Sequence, residues 1–487
     1  METADKHVVV LGAGPAGLTT AYLLAQNGRP VTVLEADPIY VGGLARTVSY
    51  HGFRFDIGGH RFFSKSENVE RLWSEILPND MLECIRLSRI HFRSELMSYP
   101  LRPFEVIERL GVLEFARCIL SYWQACVFPS HPAITFEDWA INAFGRRLFE
   151  IFFKTYTEKV WGLSCREISA DWAAQRIKKM SLADAAFAAL RQTPLSRRDT
   201  ITSLTTSFRY PRLGPGMMWE KCAEKMCAAG GRLLMGRPVQ ELEYCAQTGR
   251  WRIVAQAKNG NSETFDAGTV VSSIPLTDLA RMLKPELSWN ALQAVQTLRY
   301  RDFLSAAVIL RERVALQDHW IYVHEPAVRA SRIQNYKSWS PALIPEPGLC
   351  CLGLEYFCNA SDELWHMNDE RLLKLALNEL TQLGLAQPED LVDGYVVRQP
   401  KAYPVYDLGY SGRVQLVLSE LESRFPSLHL VGRNGRHRYN NQDHSMTTAM
   451  LSAANILAGE RMYNLHKVNE DAEYLEEPVA KYSPCCE

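Results

Sequence analysis

Neither sign of charge dominates this sequence: Lys and Arg number 54 against 55 Asp and Glu, a formal net charge of -1. That balance removes the global attraction that nucleic acid and anionic membrane rely on, so no nucleic-acid partner is expected. No apolar run reaches the roughly 20 residues of a bilayer span, so no transmembrane segment is expected. The nearest approach, 112–128, is interrupted by Glu114 and Arg117 and reads as a buried or groove-forming helix. A cationic start with a small-residue cleavage site is missing, which argues against a secretory leader. No C-x-x-C pair is matched by a second at zinc spacing, and no metal site is expected. The 12 cysteines are scattered and read as reduced thiols, which points to the cytoplasm. Repeats and low-complexity blocks are missing too. With 47% apolar and 22% charged residues, the chain can bury a large core, and a wholly disordered state is excluded.

What is present begins at once. The β-branched run His7–Leu11 leads into Gly12-Ala13-Gly14-Pro15-Ala16-Gly17, then a helical stretch to Asn27, then the strand Val31–Leu34 ending at Glu35. A bare G-x-G-x-x-G is a weak signal. Between two strands and opening a helix, it is the dinucleotide fingerprint of a parallel βαβ unit. Gly12 serves the tight turn, Gly14 the approach of a pyrophosphate, and Gly17 the packing of helix on strand. The helix N-terminus offers free N–H groups to phosphate, and Glu35 offers a carboxylate to ribose hydroxyls.

Further on, helices are expected over 66–78, 103–127, 136–154 and 166–192, with a polar loop at 193–206. Strands are expected at 232–235, 250–257, 269–274, 303–310, 319–324 and 350–357. A helix at 369–384 follows, then strands near 393–398 and 428–431, a helix from about 443 to 458, and a loose tail over 466–487. This order predicts a nucleotide core assembled from 1–100, 206–280 and 426–462. Between these pieces run a helical insertion, 101–205, and a mixed β/α substrate unit, 281–425, with 463–487 as the tail.

Val41-Gly42-Gly43-Leu44-Ala45-Arg46-Thr47 resembles the second cofactor-binding stretch of amine-oxidase-like flavoproteins, which makes FAD the expected cofactor. The strand–loop–helix Leu428-His429-Leu430-Val431-Gly432-Arg433 and onward resembles the return of the chain to the flavin in the same proteins. Four segments resemble the UDP-galactopyranose mutase family: Phe55-Asp56-Ile57-Gly58-Gly59-His60, Tyr156-Thr157-Glu158-Lys159-Val160-Trp161-Gly162, Ala402-Tyr403-Pro404-Val405 and Gly432-Arg433-Asn434-Gly435-Arg436-His437-Arg438-Tyr439. The tract Arg438 to Met446 and the stretch Tyr210 to Met218, a Gly-rich turn with bulky apolar residues, depart from the family pattern and mark a divergent branch.

The resemblance implies an α/β fold: a Rossmann-type FAD-binding core of discontinuous segments with a helical insertion and a β-rich substrate domain. It implies that FAD is held by Gly12, Gly14, Ala16, Gly17, Glu35, Gly43, Arg46, Val239, Gly432, Arg433, Asp443, Ser445 and Met446. Catalytic roles fall to His60, Arg176, Tyr403 and Tyr439, and substrate contacts to Tyr156, Trp161, Arg176, Tyr403, Arg436 and Tyr439. The implied substrate is a nucleotide sugar, and the implied reaction is a redox-neutral pyranose–furanose isomerisation in which N5 of reduced flavin attacks the anomeric carbon. NAD(P)H is a possible reductant, and a homo-oligomer is possible. The alternative is an oxidoreductase of the amine-oxidase or protoporphyrinogen-oxidase type, with the 110–130 helix and Met217-Met218 as an apolar lid over the flavin.

Overall fold

Val8-Val9-Val10-Leu11 is apolar on every residue and forms a strand buried on both faces, as the inner strand of a parallel sheet must be. The computed structural model describes residues 6–99, 103–176, 207–257, 259–313 and 315–468. The expected loop at 193–206 and the tail beyond 468 lie outside these residues.

Val8–Leu11 lies between Val31–Glu35 and Thr269–Ser272, parallel to both. Arg232–Met235 and Leu428–Leu430 complete a five-stranded parallel sheet in the order 428–430, 269–272, 8–11, 31–35, 232–235. Its strands come from the beginning, middle and end of the chain, which is the discontinuous core expected from the sequence. Helix Pro15–Gln26, whose residues are mostly buried, packs on helices Gly216–Ala228 and Gln442–Ala458.

A second, seven-stranded sheet is built on the long antiparallel strands Tyr300–Arg311, Leu349–Cys358 and Leu391–Pro404. Helix Asp369–Gln382 covers it with Leu372, Ala376, Leu377 and Leu380. Its far edge is the hairpin Ser88–Phe92 and Glu95–Ser98, joined in parallel through Trp320–Val323. The sequence division placed these residues with the nucleotide core; they hydrogen-bond into the other sheet instead.

The helical insertion differs from expectation in two ways. The stretch 103–127 breaks at Gly111 into Pro103–Leu110 and Val112–Val127. The second helix is not buried: only Cys118 and Ala125 of its residues are, while Leu113 and Trp123 are 80% and 67% exposed and Phe128 at its C-cap is 78% exposed. The expected helix 136–154 is Phe136–Phe144, then a short turn, a π-helical turn Phe149–Lys154, and Thr155–Trp161. Such turns shift the register of a helix, and this one sets the position of Tyr156. No helix among the described residues is long and apolar enough to cross a membrane.

Candidate active site

The glycine loop is built for close approach. A Cβ on Gly17 would lie 1.9 Å from the Gly12 carbonyl oxygen, so helix and loop touch through backbone alone. At Gly14 a Cβ would meet nothing nearer than the Gly43 Cα at 3.9 Å. A Cβ on Gly43 would lie 3.2 Å from the Gly14 Cα, so the two glycine-rich turns pack on each other through backbone beside a helix N-terminus, whose free N–H groups suit a pyrophosphate. Both oxygens of Glu35 engage the backbone, from Ala13 N–H at 2.5 Å and Asp37 N–H at 2.8 Å. Burial pushes the Glu35 carboxyl above its ordinary value. Arg46 donates to Gly43 O at 2.9 Å and to Gln399 Oε1 at 2.6 Å, holding the second turn against the last strand of the other sheet. Val239 starts a strand two residues after Arg237, whose N–H bonds Glu35 O at 2.7 Å.

At the other end, Gly432 approaches the first helix so closely that a Cβ would sit 2.9 Å from the Ala16 methyl. Arg433 donates from Nε and Nη2 to Asn440 O at 3.0 and 2.7 Å, and Ser445 Oγ donates to Asn440 Oδ1 at 2.8 Å. These bonds tie Arg433 to the start of helix Gln442–Ala458. Asp443 is engaged locally, accepting from His444 N–H at 2.9 Å. The Met446 side chain is fully buried, its sulfur accepting from Trp73 Nε1 at 3.0 Å, so only its backbone remains for a ligand. Arg436 bonds His466 Nδ1 at 2.8 Å and Leu430 O at 3.4 Å.

Tyr403 and Tyr439, 36 positions apart by numbering, stack at 5.8 Å with an interplanar angle of 11°. The Arg433 guanidinium carbon lies 5.0 and 4.7 Å from their ring centres, within cation–π range. Arg332 Nη2 lies 3.5 Å from Tyr403 Oη and forms an ion pair with the fully buried Glu355, whose other oxygen accepts from Gln334 Nε2 at 2.5 Å. Gly58 and Gly59 press against this wall: a Cβ on Gly59 would lie 2.3 Å from the Trp320 ring. His60 Nδ1 sits 2.8 Å from Gly58 O, so Nδ1 carries the proton and Nε2 is an acceptor. Burial, with Arg433 and Arg332 nearby, lowers its pKa to about 4, so the imidazole is neutral at pH 7.

Tyr156 stacks on His324 at 4.9 Å and meets Tyr322 edge-on at 5.9 Å. Trp161 is not on the cleft surface. It is 3% exposed, packs on Trp172 at 5.4 Å, and backs the partly buried Tyr403 and Tyr439 in one apolar cluster. Arg176 closes helix Ala170–Arg176, and its side chain lies outside the described residues. Lys159 of the same motif donates to the carbonyls of Val323, Glu325 and Ala330 at 3.1, 3.0 and 3.2 Å, pinning the loop that carries His324. Met218, one of the two lid candidates, is fully buried in the nucleotide core. Sequence reasoning missed Arg332, Glu355, Trp320 and Gln399.

Asp56, which leads into the Gly58-Gly59-His60 loop, accepts from Tyr210 Oη at 2.5 Å and from Thr47 Oγ1 at 3.3 Å. Burial pushes its carboxyl from the ordinary 3.8 to about 7, against the pull of those two bonds. The folded chain thus holds a proton that the unfolded chain gives up. That contribution is complete below 3.8 and is lost as pH rises through about 7. Asp56→Asn, which mimics the protonated acid, is expected to flatten the decline in Tm as pH rises from about 3.8 to about 7. Parallel Tm profiles for the variant and the parent would refute this.

Comparisons with known proteins agree with this geometry. The family model for flavin containing amine oxidoreductase matches residues 15–432. The solved structure of reduced UDP-galactopyranose mutase superposes with a TM-score of 0.81 at 23% identity, covering 95% of this chain and 99% of that one. The probable UDP-galactopyranose mutase of Klebsiella pneumoniae is 25% identical over 178 residues, 34% of this chain and 44% of that protein. A 15-cis-phytoene desaturase of Narcissus pseudonarcissus is 40% identical over 77 residues, 16% of this chain and 14% of its own length. The chain thus spans less than half of either curated relative.

Proposed function

The chain belongs to the flavin-containing amine oxidoreductase family, and within it we propose that the chain is an FAD-dependent enzyme acting on a sugar carried by a nucleoside diphosphate, rearranging the pyranose to the furanose without net oxidation. The reading rests on the cluster of Arg433, Arg332, Tyr403 and Tyr439. Two guanidiniums and two phenols on one wall suit a diphosphate, whose oxygens take charge-assisted bonds. Holding that leaving group in line while the sugar rests near the flavin is mainly a matter of positioning. Reduced FAD, when bound, supplies the electron-rich nitrogen that the rearrangement requires. His60, neutral and with Nε2 as acceptor, orients a sugar hydroxyl and does not deliver a proton. Tyr156 and His324 offer a flat aromatic surface to the base. NAD(P)H as the reductant belongs to the same proposal.

Tyr403→Phe removes one phenolic donor while keeping the stack on Tyr439. It is expected to raise the Kd for UDP-sugars about tenfold, the weight of one hydrogen bond to a charged group, with FAD content unchanged. Equal Kd values for Tyr403→Phe, Tyr439→Phe and the parent would remove this wall from the binding site. The oxidoreductase reading keeps the same FAD core. It is weakened by Met218, which lies in the core and cannot close over a substrate.

A further inference from the structure

Arg61 follows His60 and has no part in the account so far. Its guanidinium carbon lies 5.3 Å from the Trp320 ring and 5.5 Å from the Phe208 ring. Nη2 donates to Ser88 Oγ at 3.2 Å, and Nε is buried with no partner among the described residues. The charged and titratable groups that interact with it most are Tyr322, Arg86, Tyr99 and Arg332, with His319 beside them. Arg332, 4.9 Å from the same Trp320 ring, is neutralised by Glu355; Arg61 is not neutralised in this way. Arg86 lies 4.9 Å from the Tyr99 ring, which in turn packs on Tyr322 at 4.9 Å. Tyr322 stacks on Trp320 at 5.9 Å and touches Tyr156, so this cationic corner is continuous with the proposed substrate wall.

An arginine keeps its charge even when partly desolvated, and a half-buried cation whose neighbours are cations and aromatics leaves room for an anion to take a charge-assisted bond. We propose that Arg61, beside Arg332 at the Trp320 indole, binds a second oxyanion of the substrate, separate from the diphosphate. The substrate class is then a nucleotide sugar whose sugar is itself acidic, carrying a carboxylate or a phosphate ester. This rests on the nucleotide-sugar reading above and narrows it.

The test is calorimetric titration of reduced, FAD-loaded protein with paired UDP-hexoses and UDP-hexuronates, with UDP-hexose phosphates as the arm for the other oxyanion. Inorganic phosphate serves as a probe without nucleotide. The acidic donor is expected to bind at least about tenfold tighter than its neutral partner, the weight of one charge-assisted bond. In Arg61→Met that ratio is expected to collapse to about one, while Arg61→Lys keeps most of it. Arg61→Gln, which can still donate to Ser88, replaces the methionine variant if the latter loses FAD. A ratio near one in the parent protein overturns the proposal, as does equal weakening of both donors in Arg61→Met. If no UDP-sugar binds but phosphate binds with an affinity that depends on Arg61, the nucleotide-sugar reading fails and the anion subsite stands. If phosphate fails as well, both fall.

Discussion

Gly17→Ala is expected to purify with little flavin. The new methyl would sit 1.9 Å from Gly12 O and 3.1 Å from Gly12 C, both backbone atoms that no rotamer change can clear. Either the helix lifts from the strand or the loop opens, and overpacking of this kind costs about 1–3 kcal/mol or more. That cost falls on the turn that cradles the pyrophosphate, so FAD affinity should drop at least about tenfold. Gly14→Ala makes the informative contrast. Its methyl meets protein only at 3.9 Å, so the apoprotein should keep its Tm while FAD affinity falls, because the methyl occupies the cradle itself. Flavin absorbance per mole of protein, together with apoprotein Tm, separates the two. A Gly14→Ala protein that binds FAD like the parent would mean that the cradle is not the pyrophosphate site.

The second large effect is expected at Arg332. Arg332→Met leaves the fully buried Glu355 carboxyl without its cation, to be either held charged or protonated there, and breaking such a pair costs about 3–5 kcal/mol. Adding Glu355→Gln should restore most of that stability, since the amide is neutral and can still bond Gln334. Binding should not return with it. If the double variant regains stability in denaturant titration but stays weak for UDP-sugars, Arg332 acts on the ligand as well as on the fold. Recovery of both would make it a purely structural residue.

These two predictions draw on features of unequal legibility. The glycine loop and Glu35 were readable because the βαβ unit is local: turn, helix and returning strand lie within one short segment, and Gly17 answers to Gly12 and Val10 in that segment. Tyr403 and Tyr439 were readable only through resemblance. Their meeting depends on the last strand of one sheet lying against the return loop of the other, which no local pattern encodes. Arg332 was invisible because Arg332–Asn335 is a four-residue strand with little apolar alternation, and its partner Glu355 lies across the sheet. Arg436 is a different case. It stands inside a recognisable motif, but His466 and Leu430 take its guanidinium. The apolar stretch 112–128 was read as a buried or groove-forming helix from composition, and composition does not say which face finds a partner.

The most direct test of the central claim asks whether the chain breaks the anomeric carbon–oxygen bond without oxidising the sugar. Anaerobic, dithionite-reduced holoenzyme is incubated with UDP-hexopyranoses and UDP-hexuronates carrying heavy oxygen at the bridge between sugar and phosphate. The account predicts migration of the label into non-bridging positions of the β-phosphate, together with a furanose product. Both should appear with reduced flavin, vanish with oxidised flavin, and leave the sugar at its original oxidation level. A label that stays in the bridge for every donor, together with oxygen uptake on an amine or alcohol, would contradict the account and establish the oxidoreductase reading.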